Sequence, residues 1–267
     1  MLNSFRSLPK DWFVCPITKE ELRQDGNTLL SHKGKFQEHP QHKYWNFMPA
    51  GVQELEKPEW NTWRVLQDNG VASYQADPTK NLSVGKRNDV DRFSAFCEFH
   101  GAILDVGVGP QSRPAHLSAL VGKSNIIFTG IDPLVGEQPR SFPFIQGLAE
   151  FLPFKNDLFD QVLFVTSLDH FIDPRPALAE AKRVLKPTGE ICIWIGEKDK
   201  NAPKPATSPE WYTDLTVPPG AEDRFHYKRF TKDDFLGYVK DVNLNISKEE
   251  VMIVDAWRKN FFYKLKQ

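Results

Sequence analysis

Cysteine is scarce in this chain of 267 residues. Cys15, Cys97 and Cys192 are odd in number and far apart, which excludes a disulfide framework and points to a reducing compartment. Long apolar runs are missing too. No stretch approaches the ~20 residues that cross a bilayer, and the N-terminus carries no apolar signal core. A soluble, cytoplasmic protein with no membrane partner is expected. Neither charge is in excess: 34 basic residues stand against 35 acidic ones, for a formal net charge of −1. That balance leaves no electrostatic footprint for a polyanion, so nucleic acid is not an expected partner. The remaining composition, 40% hydrophobic and 26% charged, is that of an ordinary globular protein. The length suits one elaborated α/β domain with a small appendage, and the oligomeric state is left open.

Against this background one stretch stands out, Ile103-Leu104-Asp105-Val106-Gly107-Val108-Gly109-Pro110-Gln111-Ser112. An apolar run carrying an aspartate breaks into a turn with glycine at alternate positions. It reads as a buried parallel strand that ends in a tight loop and enters a helix near Ser112–Leu117 with free amide groups. Gly107 and Gly109 allow backbone to approach a ligand closely. A second apolar strand, Asn125-Ile126-Ile127-Phe128-Thr129-Gly130-Ile131-Asp132, delivers an acid at its far end. An acid at the tip of the neighbouring strand is where a nucleoside-binding α/β domain holds ribose hydroxyls.

Further segments follow in order: Gly147-Leu148-Ala149-Glu150-Phe151-Leu152-Pro153-Phe154, Leu158-Phe159-Asp160-Gln161-Val162, Leu168-Asp169-His170-Phe171 and Arg183-Val184-Leu185-Lys186-Pro187-Thr188-Gly189-Glu190. Together with the glycine turn they resemble the class I S-adenosylmethionine-dependent methyltransferases, in particular the methyltransferase type 11 group. The resemblance covers about residues 86–196. It implies a Rossmann-like α/β fold with a mostly parallel seven-stranded sheet and helices on both faces.

The resemblance also implies a site. Gly107 and Gly109 would meet the methionine carboxylate of S-adenosylmethionine, and Asp105 would orient the loop or meet the amino group. Asp132 would accept both ribose hydroxyls, with Pro133 and Leu134 against one side of the adenine. Leu148, Ala149 and Glu150 form the adenine-side loop, and Tyr74 is either a lid residue or an anchor for the linker. The chain departs from the family pattern where Pro110-Gln111 replaces a third glycine and where Leu148 replaces an aspartate. Asp169 and His170 fall after the fourth strand, at the edge where open α/β sheets place their sites. His170 titrates near neutrality and is read either as a base or as a packing residue. His226 and Arg229 face the acceptor or cap the following helix. The expected activity is methyl transfer to a small-molecule acceptor such as a sugar, lipid precursor or secondary metabolite. The alternatives are an RNA methyltransferase and a non-catalytic S-adenosylmethionine-binding protein.

Organisation along the chain falls into three parts. Residues 1–58 read as small β-hairpins punctuated by Asp25-Gly26-Asn27 and Lys33-Gly34. They resemble the zinc-ribbon-like segment of some bacterial methyltransferases but lack its paired cysteines. Cys15, His32, His39 and His42 match no ribbon spacing, so no metal is expected. Phe13, Leu29, Phe36, Trp45 and Phe47 are the expected core of the segment. Residues 59–85 predict a helix stopped at Asn69-Gly70, then an irregular lid from Ser73 to Ser83. Residues 86–267 form the catalytic domain. In it a helix is capped by Asn88 or Asp89, another by Asp173 before Pro174, and a third at Thr231-Lys232-Asp233-Asp234. A long loop spans Lys198–Pro219, and two strands close the domain, the last of them antiparallel.

Overall fold

A computed structural model describes residues 8–77, 87–120, 125–203 and 208–267. The chain passes through β1 (Arg23–Asp25), β2 (Thr28–Ser31), β3 (Gly34–Glu38) and β4 (Trp45–Asn46), then α1 (Pro58–Ala76) and α2 (Asn88–Cys97). Next come β5 (Ala102–Val106), β6 (Ile127–Asp132), β7 (Phe144–Gln146), β8 (Phe159–Val165), α3 (Pro174–Val184) and β9 (Leu185–Lys198). It closes with α4 (Glu210–Asp214), α5 (Lys232–Asp241), β10 (Asn245–Ile253) and β11 (Arg258–Lys266).

The apolar runs of β5, β6 and β8 form strands because both faces of the sheet are covered. All five residues of β5 are buried, as are five of the six in β6. β5 pairs in parallel with β6 on one side and β8 on the other. The order of connection reverses there, and in such sheets the crevice beyond the carboxyl ends of the strands receives the ligand. The seven strands run β7-β6-β5-β8-β9-β11-β10, with β11 antiparallel to both neighbours. The expected Rossmann-like class I fold is therefore present.

The sheet does not stop at β7. Trp45 and Asn46 of β4 pair in parallel with Ile145 and Gln146, so the N-terminal hairpins extend one sheet to eleven strands. Phe13, Leu29, Phe36 and Phe47 are buried in the same core cluster as Leu104 and Phe154 of the larger unit, with Trp45 packed against it. The seven-stranded expectation describes the larger unit and undercounts the whole sheet.

Four local expectations need correction. Helix α1 continues through Gly70 to Ala76, because the buried Asn69 amide is fixed by tertiary bonds to the carbonyls of Thr216 (2.8 Å) and Arg224 (2.7 Å). Tyr74 thus sits on the last turn of a helix, and the Ser83 end of the expected lid lies outside the described residues. After the glycine turn the chain forms a 3₁₀ segment, Ala115–Leu120, in place of an α-helix. Pro110 and Pro114 lack amide hydrogens, and Arg140 takes the Gly109 and Gln111 carbonyls. Arg87, not Asn88 or Asp89, is the residue before α2; Asp89 lies in its first turn and pairs with Arg87. Finally, Lys186-Pro187-Thr188-Gly189, whose proline and glycine read in the sequence as the stop of the preceding helix, is absorbed into β9, where Lys186 pairs with Asp160 at 2.9 Å.

Other caps form as the sequence predicts. Asp173 accepts the Arg175 amide ahead of Pro174, and Thr231 makes a capping box with Asp234. Within the expected 198–219 loop the structure adds the short helix α4.

Candidate active site

A cavity of about 440 Å³ opens at the carboxyl edge of β5, β6 and β8. The turn after β5 forms its floor. Gly107 and Gly109 have φ of +75° and +81°, in the left-handed region that disfavours side chains. A Cβ on Gly107 would stand 2.5 Å from that of Ser167, and one on Gly109 would strike Gln111. The turn is held to β6 by the Gly107 amide donating to the Ile131 carbonyl at 2.9 Å.

Two carboxylates frame this floor. Asp132, at the tip of β6, is only 6% exposed. Its Oδ2 accepts the Gly109 amide at 2.7 Å and its Oδ1 the Leu134 amide at 2.8 Å. Burial raises its pKa to about 6, against the lowering effect of those amides and of Arg140. Asp105, fully buried on β5, accepts from His116 Nε2 at 2.7 Å through Oδ2. Its Oδ1 is buried with no hydrogen-bond partner, and so is Gln111 Oε1. Buried acceptors without donors are costly and mark places where a ligand supplies them.

Leu148, Ala149 and Glu150 line one wall together with Pro133. Burial lifts the Glu150 carboxyl to about 7, with Asp173 acting in the same direction. Tyr74, from the last turn of α1, lines the cavity as well.

The opposite end is built by the segment after β8 and the loop before α5. His170 and His226 stack at 4.5 Å between ring centroids. His226 Nδ1 lies 2.7 Å from Asp223 Oδ1, and Arg229 Nε donates to Asp223 Oδ2 at 2.8 Å. Burial raises the Asp223 pKa, but the bonds from His226, the Phe225 amide and Arg229 outweigh it and hold the carboxyl well below its usual range. Asp169 sits behind the two rings, 3.4 Å from His226 Nε2 and 4.0 Å from His170 Nε2. His170 Nδ1 donates to the Phe225 carbonyl at 3.1 Å, and Trp63 Nε1 donates to the His170 carbonyl at 3.1 Å. Desolvation holds the His170 pKa below its ordinary value in spite of Asp169 beside it.

The site residues expected from the sequence thus come together. Asp105, Gly107, Gly109, Asp132, Pro133, Leu148, Ala149, Glu150, Tyr74, His170 and His226 all line one cavity, and Asp169 stands behind its wall. Several participants had no sequence signal. Arg140 binds the carbonyls of Gly109, Gln111, Leu134 and Val135, tying the turn to the segment after β6. His116 reaches Asp105 from the 3₁₀ segment. Asp223 did carry a signal, since it lies three residues before His226.

Residues 104–193 match the family described as Methyltransferase domain. That match covers about a third of the chain, and the fold around it is the class I methyltransferase fold. An uncharacterized protein of Escherichia coli (strain K12), YafE, is 27% identical over 143 residues, covering 51% of this chain and 66% of its own length. The probable phthiotriol/phenolphthiotriol dimycocerosates methyltransferase 2 of Mycobacterium ulcerans is 28% identical over 167 residues, covering 52% of this chain and 64% of its own length. The chain therefore spans just under two thirds of these relatives. Among solved structures, the 1,6-didemethyltoxoflavin-N1-methyltransferase of Burkholderia thailandensis, with 1,6-didemethyltoxoflavin and S-adenosylhomocysteine bound, has a TM-score of 0.53 at 15% identity. That likeness covers 92% of this chain and 100% of the other, and it is a likeness of fold.

S-adenosylmethionine is the methyl donor of this domain class, and the methyltransferase site fits it. Asp105 Oδ1 has no hydrogen-bond partner and would be free to accept from the donor's ammonium group, and the glycine turn, lacking side chains, would leave room for its tail. Each oxygen of Asp132 accepts one amide and keeps a second lone pair for a hydroxyl.

Proposed function

We propose that this methyltransferase transfers a methyl group from S-adenosylmethionine to a small, largely apolar acceptor carrying one polar group. One observation supports the reading above the others: a single cavity is lined at one end by the glycine turn and Asp132, and at the other by His170 and His226. The donor supplies a methyl group on a positive sulfonium that departs as a neutral thioether. The chain's own residues then have a limited task, because in-line displacement depends mostly on holding the two reactants in place. Gly107, Gly109 and Asp105 receive the amino-acid tail, and Asp132 receives the ribose hydroxyls. Pro133, Leu148 and Ala149 enclose the adenine, with Glu150 at its polar edge.

Trp63, Leu66, Phe171 and Phe225 line the cavity around the histidines. Apolar walls with a few convergent polar groups favour a small molecule whose body is apolar. The Mycobacterium ulcerans relative is named a probable phthiotriol/phenolphthiotriol dimycocerosates methyltransferase, which supports a small-molecule acceptor. Among the described residues that line the cavity, only Arg87 and Arg229 are basic by formal charge, which argues against an RNA acceptor.

Calorimetry tests the reading. The protein is expected to bind one S-adenosylmethionine and one S-adenosylhomocysteine competitively, and not to bind NAD. NAD binding without either nucleoside would overturn it. Stoichiometric nucleoside binding with no turnover across lipid, phenolic and sugar acceptors would favour a non-catalytic role.

A further inference from the structure

Among the described residues, Asp169, His170 and His226 are the one group of histidine, cysteine or carboxylate side chains placed to hold a metal. Their candidate ligand atoms all lie within 4.8 Å of one another. The hydrogen bonds around them explain why this differs from a chance cluster. A carbonyl oxygen can only accept, so His170 Nδ1 must donate its hydrogen to Phe225. Asp223 Oδ1 already accepts the Phe225 and His226 amides, and His226 Nδ1 stands 2.7 Å from the same oxygen. With Nδ1 engaged, each neutral ring leaves Nε2 as its acceptor, and the two Nε2 atoms lie 4.0 Å and 3.4 Å from the carboxylate of Asp169. A carboxylate cannot donate to them. In that tautomer three acceptor atoms converge, an arrangement that a cation between them would satisfy. An outer carboxylate or carbonyl on the far nitrogen of each histidine is also how metal-ligating imidazoles are oriented.

We infer that Asp169, His170 and His226 bind a divalent transition-metal cation at the acceptor end of the cavity. Two ligands about 2.1 Å from a tetrahedral centre stand roughly 3.4 Å apart. The His226–Asp169 pair already has that separation, at 3.4 Å, and the His170–Asp169 pair at 4.0 Å needs a small contraction. Two imidazoles and one carboxylate select zinc, iron, cobalt or nickel over magnesium or calcium. His170 and His226 line the cavity, so a cation held by the cluster would stand at its wall.

Binding of the cation rests on these three residues alone, whereas its use rests on the methyl-transfer reading. Coordination positions that the three residues leave free would take an oxygen of the acceptor and lower the pKa of its hydroxyl. The hydroxyl proton leaves to water, the oxygen lone pair forms the new carbon–oxygen bond, and the electron pair of the broken sulfur–carbon bond remains on sulfur. Arg229, 3.7 Å from Asp169 Oδ2, balances the carboxylate while the cation is away.

Cobalt(II) titration followed by visible absorption tests the site on the full chain. One equivalent is expected to bind with the bands of a site containing imidazole nitrogen. Asp169→Asn, His170→Gln and His226→Gln are each expected to weaken binding at least tenfold, and Asp223→Asn about 10–100-fold as an outer-ligand change. The surface variant H39Q/H42Q should leave uptake unaltered. Where a variant melts early, X-ray absorption on the cobalt-loaded wild type decides the matter, with scattering from two imidazole rings expected. Failure of the wild type to bind cobalt at millimolar concentration, scattering that lacks both rings, or uptake abolished in H39Q/H42Q would overturn the site. S-adenosylhomocysteine calorimetry on the same preparation separates the two readings. Nucleoside binding without cobalt binding removes the cation and keeps methyl transfer; cobalt binding without nucleoside binding does the reverse.

Discussion

In the proposed site Asp132 would meet two demands that pull against each other. As the acceptor for ribose it should be ionised and open, yet it is 6% exposed and already accepts the amides of Gly109 and Leu134. Asp132→Ala should weaken S-adenosylmethionine binding at least tenfold, since hydrogen bonds to a charged acceptor are worth roughly 1.5–3 kcal/mol each. It should also destabilise the protein, because two amides lose their acceptor at about 1–3 kcal/mol apiece. The sequence alone suggests a carboxylate in an open cleft that could be removed without cost to folding, and the burial of Asp132 corrects that. Calorimetry and a denaturant melt on the same variant separate the two effects. The pKa of about 6 adds a pH signature. Donor affinity should fall as pH drops below about 6, where Asp132 takes up a proton and loses acceptor capacity.

Glu150 gives the complementary case. Its folded pKa of about 7 lies above the ordinary 4.5, so the folded state disfavours the ionised form. Below about pH 4.5 the group is protonated in both states and contributes no difference. Between about pH 4.5 and 7 the unfolded chain ionises while the folded state keeps its proton, so the ligand-free protein loses stability across that window and the loss is complete once the folded group ionises above 7. Glu150→Gln should therefore raise the melting temperature at pH 8 and leave it unchanged at pH 4. At 1.36 kcal/mol per pKa unit the gain is on the order of 1–3 kcal/mol. Equal melting temperatures for wild type and variant at pH 8 would show that Glu150 ionises freely.

At the scale of elements, the turn between β5 and the 3₁₀ segment is the most constrained. Gly107→Ala forces a side chain into φ +75° and places its Cβ 2.5 Å from that of Ser167. A loss of about 1–3 kcal/mol from backbone strain alone is expected, together with weakened donor binding. The pair G107A/S167G removes the steric contact and keeps the strained φ, so it should recover part of the stability and not all. Full recovery would show that the left-handed backbone costs nothing there.

This turn was legible in the sequence because alternate glycines after an apolar run have few other uses. β5, β6 and β8 were legible for a related reason: strands buried on both faces leave uninterrupted apolar runs. What could not be read is information held by distant partners. Helix α1 passes Asn69-Gly70 because the Asn69 amide finds carbonyls 147 and 155 residues away. Arg140 looks like any surface arginine until the fold brings four carbonyls around it. His170 and His226 were each visible as candidates, but their stacking depends on how the loop before α5 folds back over the end of β8.

On the scale of the whole molecule, the N-terminal hairpins are joined to the methyltransferase domain by both backbone and core. β4 covers the edge of β7, and beyond it the Val14 amide donates to the Pro153 carbonyl at 3.0 Å while Lys155 donates to Trp12 at 2.9 Å. Phe13 lies 4.9 Å from Phe47 and 5.7 Å from Phe154, and Trp12 meets the edge of Phe159 at 5.8 Å. Phe154 and Phe159 are completely buried. Removing residues 1–56 would uncover both rings and leave β7 as an unpaired edge, a template for pairing with other chains. Each uncovered aromatic side chain forfeits roughly 1.5–3 kcal/mol of burial, which is a large share of the total stability of an ordinary domain. The truncated chain should therefore melt well below the full one and elute from size exclusion as oligomers or aggregate. Co-expression of residues 1–56 as a separate segment should restore a monodisperse species, because the lost contacts are noncovalent. If the truncated chain stayed monodisperse with an unchanged melting temperature, the hairpins would be an accessory laid on a self-sufficient domain, and the continuity of the eleven-stranded sheet would carry no stability.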